Sequence, residues 1–181
     1  MGSVKRRGEK VVVRLDAAER SVLASLLGAV RALLDDGDDN AADADPLAAF
    51  VGMSDSPVET PEDPILLRLL PDAYQDADEA AEFRRLTDAE LRARKTEAID
   101  RVLGDVASGE RNELDLEEGV GMWVQAVNDV RLVLGTRLDV QEDWPERLDD
   151  LSPDDPRAVL YDFYSWLTDL QEGLVNAAMA D

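Results

Sequence analysis

Between Leu114 and Asp143 apolar residues recur at helical spacing on two sides of one segment, and no other stretch of the chain constrains the fold as strongly. Val120, Trp123, Val124, Val127, Val130, Leu134 and Leu138 form one stripe with steps of three and four. Met122, Ala126, Val133 and neighbouring Leu132 form a second. A helix apolar on two sides must be covered on both, so it sits between other helices. The expected fold class is therefore all-α: a single-domain bundle of about five to seven helices around a central helix at 116–138, with room for one short N-terminal strand.

The remaining helices follow from start and stop signals. Asp16 and Glu19 have the reciprocal spacing of a capping box, with Leu15 as the staple, and Val22, Leu23, Leu26, Leu27, Val30, Leu33 and Leu34 give the next segment a wide apolar stripe. Asp63 with Pro64, and Asp155 with Pro156, pair a capping carboxylate with a proline at the permitted first position of a helix. Residues 76–86 read as a short helix. Thr87 with Glu90 then suggests a second capping box opening a helix over 88–106. Asp115 with Glu118 suggests a third, opening the central helix. Lys10 to Leu15, rich in valine, is the one strand-like run. Residues 1–9 read as a flexible basic arm, and residues 10–181 as one helical domain carrying an acidic linker at 35–63.

Charge narrows the function. The net charge is -22, yet residues 1–14 hold five cations against one carboxylate, a net of +4 that leaves -26 on the rest. Such a body repels phosphate backbones, because nucleic-acid affinity comes from neutralising phosphates and releasing counterions. Direct nucleic-acid binding is not expected of it, and a DNA-binding reading would rest on the cluster Lys5 to Arg14 alone. The chain has no Cys and no His. That excludes disulfides, thiol nucleophiles, the usual zinc ligands and the imidazole most used in general acid-base catalysis. No apolar run approaches the roughly 18–20 residues that span a bilayer, so a cytoplasmic location without membrane attachment is expected. From Asp35 to Asp63 there are ten acidic residues and no basic one. Asp36, Asp38 and Asn40 mimic the opening of a calcium loop, but Ala41 and Leu47 stand where glycine and a bidentate glutamate are required. No metal and no cofactor is expected.

The central helix also carries polar residues that a buried segment must satisfy: Asn128, Asp129, Arg131 and Arg137, in the neighbourhood of Trp123. They form the candidate polar network or interaction site. A small-molecule-binding or enzymatic alternative would use Asp129 with Glu142 or Asp143 around a pocket beside Trp123. Lys95, alone on an apolar helix face, suits a stem that snorkels with its ammonium in water better than a catalytic amine.

Three strings carry a family resemblance: Leu69-Leu-Pro-Asp-Ala-Tyr74, Glu82-Phe-Arg-Arg-Leu-Thr87 and Asn128-Asp-Val-Arg-Leu-Val-Leu-Gly-Thr-Arg-Leu138. With the closing Trp166-Leu167 and Leu170-Gln171-Glu172 they resemble an actinobacterial family of domains of unknown function that includes the AosR-like oxidative-stress regulators. The likeness runs from Val11 to Ala178. It implies a small cytoplasmic regulator, encoded in some relatives near the ClpS adaptor and cysteine-biosynthesis genes, that acts through another protein such as an RNA polymerase sigma factor or other basic-surfaced regulator. It supplies no catalytic residues. A relative that senses oxidants through a cysteine pair has a switch this chain lacks. The expected function is thus non-enzymatic regulation of transcription or stress response by protein-protein interaction.

Overall fold

The computed structural model describes residues 2–35, 63–108, 112–116, 118–141 and 155–180. Five helices and one small sheet make up these residues, so the fold is largely helical rather than all-α. The strands are β1 (Ser3–Arg7), β2 (Lys10–Arg14) and β3 (Glu113–Leu116), and the helices are α1 (Ala17–Asp35), α2 (Pro64–Leu69), α3 (Ala77–Ser108), α4 (Val120–Arg137) and α5 (Pro156–Met179). The central position of α4 holds: it touches α1, α2, α3 and α5. Trp123, Ala126, Val127, Val130, Val133 and Leu134 are all buried. Hydrophobic association explains the arrangement, since only a surround of helices removes both apolar stripes from water.

The sheet corrects two expectations. Residues 3–7 are not a loose arm but the edge strand β1, antiparallel to β2, and Gly8 at φ +64° makes the tight connection. Lys5, Arg6 and Arg7 made this segment look like a tail, yet cations are what protects an exposed edge from pairing with another chain. Leu114 and Leu116 belong to β3, paired with Val13 and Val11, and all four side chains enter the helical core. Asp115 and Glu118 therefore do not cap the central helix. That helix begins after Gly119, whose φ of +89° is open to glycine and strained for other residues. Glu113 and Asp115 alternate with the two leucines, a period of two in so short a run that the helical stripe beyond it masked it.

The caps at Asp16, Asp63 and Asp155 form as expected. The Glu19 amide donates to Asp16 Oδ1 and the Asp16 amide to Glu19 Oε2, both at 2.9 Å. Asp63 accepts from the Ile65 amide and Asp155 from the Arg157 amide. The Arg157 side chain, together with that amide, holds the Asp155 carboxyl down at about 2. Thr87 caps nothing: α3 runs unbroken through it, and its hydroxyl donates back to the Phe83 carbonyl at 2.9 Å. The first half of α3 buries Ala80, Arg84 and Asp88 where an apolar stripe would ordinarily stand, so no continuous helical pattern was visible there.

The sheet docks on α5. Val4 rests against Gly173, where an added Cβ would lie 3.0 Å from the valine Cβ. Arg6, on the same strand, donates to the carbonyls of Ala177 and Ala180 at the end of α5. These are carbonyls the helix cannot satisfy itself. Gly173→Val is expected to lift β1 from α5 at a cost of about 1–3 kcal/mol. Hydrogen exchange should quicken in β1 amides and leave α4 slow; equal quickening in both would contradict this docking.

Candidate functional site

The five residues singled out on the central helix do not meet at one place. Trp123 faces α3, is fully buried and donates through Nε1 to Asp105 Oδ2 at 2.9 Å. Asn128 and Arg131 face α5 instead. Arg131 donates to Gln171 Oε1 at 2.6 Å and Thr168 Oγ1 at 3.2 Å, and its guanidinium lies 5.3 Å from the centre of the Tyr164 ring. Gln171 donates in turn to Asn128 Oδ1. Arg137 stands exposed in the last turn. Trp123, Asn128 and Arg131 join helices, and their side chains are taken up in that joining.

Asp129 has the most demanding environment. It is fully buried, and Lys95 Nζ on α3 donates to its Oδ1 at 2.6 Å. Oδ2 is buried without a hydrogen-bond partner among the described residues. Burial pushes the Asp129 carboxyl above the usual carboxylate range, against the opposing pull of the Lys95 ammonium. Lys95 thus corrects the snorkelling expectation: only 9% of the residue is exposed, and its ammonium is committed to an internal ion pair. Both residues were visible as misfits on apolar faces. Their pairing links residues 34 apart in the chain, and no local pattern encodes that.

A second internal network was missed from the sequence. Arg84, 5% exposed, donates to the Leu70 carbonyl at 3.0 Å, to Asp72 at 2.6 Å and to Asp88 at 3.3 Å. Asp88 also accepts from Arg92, which reaches the Leu34 carbonyl at the end of α1. One chain of charge-assisted contacts therefore fastens α1, α3 and the segment after α2. Its outer consequence is an aromatic face. With residues 70–72 pinned to α3, Tyr74 lies edge-on to Phe83, ring centres 5.6 Å apart, and both rings are exposed. Leu86, one turn further along α3, is 55% exposed. The signal was present in the strings Leu69–Tyr74 and Glu82–Thr87, where Tyr74, Phe83 and Leu86 stand among charged residues.

Among the described residues no group of three or more carboxylates is placed to hold a metal ion. The calcium-like stretch from Asp36 lies outside the described residues, as do Glu142 and Asp143. An open groove does exist, between α1 and α3 beside Arg92, Glu97, Asp100 and Met122. It does not include Trp123 or Asp129. No helix among the described residues is long and apolar enough to cross a membrane.

Fold and polar interior together define an acidic helical protein whose buried charges tie a central helix to its neighbours. The chain belongs to the family described as Domain of unknown function (DUF2017), whose model matches residues 1–178. It is 35% identical to the oxidative stress regulator AosR of Mycobacterium tuberculosis strain H37Rv, over 98% of this chain and 90% of that protein. A Mycobacterium leprae protein bearing the same regulator name is 34% identical, over 90% of this chain and 79% of its own length. No solved structure matches the chain.

Proposed function

We propose that this chain is a non-enzymatic cytoplasmic regulator that acts on transcription or stress response by binding another protein. The observation that carries the reading is the likeness to oxidative stress regulators along nearly the whole chain. The interior supports it, because Trp123, Asn128, Asp129 and Arg131 of the central helix are engaged in joining helices. The exterior supports it too. A net charge of -22 steers positively charged partners and raises their association rate, which suits a sigma factor or another basic-surfaced regulator. With no cysteine in the chain, an oxidant signal does not reach it through its own thiols.

Cross-linking in the native host, before and after oxidant challenge, tests this reading. A reproducible protein partner whose occupancy changes with oxidant is the expected result. Recovery of no protein partner in either state would overturn it.

A further inference from the structure

We infer that the face formed by Tyr74, Phe83 and Leu86 docks a cationic amphipathic helix of a partner protein, its apolar side chains on the rings and its Lys or Arg side chains on the surrounding carboxylates. The inference deepens the interaction reading above and rests on it. Three observations carry it. Tyr74, Phe83 and Leu86 are 48%, 42% and 55% exposed, and large apolar side chains grouped in this way on a folded surface mark contact sites. The two rings meet edge to face, and the backbone just before Tyr74 is pinned to the helix that carries Phe83, since buried Arg84 binds the Leu70 carbonyl and Asp72. A surface fixed in advance loses little freedom on binding, and tyrosine and phenylalanine are the side chains that interface cores favour.

The third observation selects the occupant. Asp72, Asp76, Asp78, Glu79 and Glu82 are all exposed; Asp72 is bound by Arg84 and Glu82 by Arg85, so the acidic rim open to a partner is Asp76, Asp78 and Glu79. A second copy would bring an identical acidic rim against this one. The stretch from Asp35 to Asp63 of the same chain, with ten acidic residues and no basic one, would be repelled in the same way. A cationic helix with an apolar stripe satisfies both the rings and the rim.

The test has two arms. In the first, the full chain is titrated with a fluorescent helical peptide of leucine and lysine, the leucines at helical spacing, and with a scrambled peptide of equal composition. The triple variant Y74S/F83S/L86S keeps the net charge and should keep the wild-type circular dichroism and melting temperature. It is expected to bind the amphipathic peptide roughly tenfold more weakly than wild type, with the scrambled peptide equally weak on both. Equal binding of the two peptides, or equal binding by variant and wild type, would overturn the docking site.

In the second arm a photo-reactive residue replaces Phe83, or Glu172 as a control remote in sequence, in the native host. Cross-links from position 83 to a partner segment rich in Lys or Arg and apolar side chains support the inference. Cross-links to a second copy, or to residues 36–62 of the same chain, overturn it. Partner cross-links from position 172 alone would overturn the docking face and leave the interaction reading standing. Cross-links to protein from neither position would count against both.

Discussion

Lys95→Met is expected to destabilise the fold by about 3–5 kcal/mol at pH 7, because removing one member of a buried ion pair leaves the other charged and unpaired. Methionine keeps most of the lysine stem, so little of the loss would come from packing. Asp129 then has no counter-charge at Oδ1, in addition to the unpartnered Oδ2. The pH dependence identifies the cause. Burial already raises the Asp129 carboxyl in the folded state, and losing Lys95 removes the influence that holds it down. A carboxyl raised on folding contributes most below its unfolded pKa, and that contribution is lost as pH rises through its folded pKa. The melting temperature of K95M, measured relative to wild type at each pH, should therefore recover on acidification from pH 7 towards the unfolded value near 3.8. A deficit that stayed constant or widened would show that packing rather than charge is responsible. The double variant K95M/D129L removes both charges and should lie close to wild type, since an apolar pair of similar volume commonly replaces a buried ion pair without loss.

The second large effect is expected from Trp123→Ala. Among the described residues this indole is the largest fully buried side chain, and it stands where α4 meets α3. Its removal forfeits the burial and opens a cavity, a change worth about 3–5 kcal/mol for a large aromatic in a core. The loss at Asp105 is minor, because that carboxylate keeps its contacts with Arg101 at 3.1 and 3.2 Å and is partly solvated. Trp123→Phe retains most of the ring and should lose far less than the alanine variant. Urea unfolding checks both: a lowered midpoint with an unchanged slope reports lost stability, whereas near-equal midpoints for W123A and wild type would show that α4 is not the packing centre.

What was legible in the sequence follows the range of the interactions. The central helix was read from Trp123, Val127, Val130 and Leu134 because its burial pattern is periodic along the chain. The caps at Asp16, Asp63 and Asp155 were read because each acts within three residues. Of the sheet only β2 was read, from the valine-rich run Lys10 to Leu15; β1 and β3 were not, because β1 presents Lys5, Arg6 and Arg7 to solvent and β3 is four residues long and pairs with a strand about a hundred residues earlier. Arg84 was overlooked for a related reason. Its partners at Leu70 and Asp72 lie across a turn, and without them it reads as one more surface charge on α3. The five polar candidates of α4 share a stretch of sequence but point in three directions, and only the packing of α3 and α5 separates them.

On the proposed function, the buried charges serve the fold and recognition belongs to the surface. One complementation experiment sets the two apart: a host strain lacking the gene is given wild type, K95M/D129L or Y74S/F83S/L86S, each verified as folded, and scored for survival of oxidant challenge. Full rescue by K95M/D129L and loss of rescue with Y74S/F83S/L86S are the expected results. Failure of a folded K95M/D129L protein, together with rescue by the surface variant, would contradict that reading.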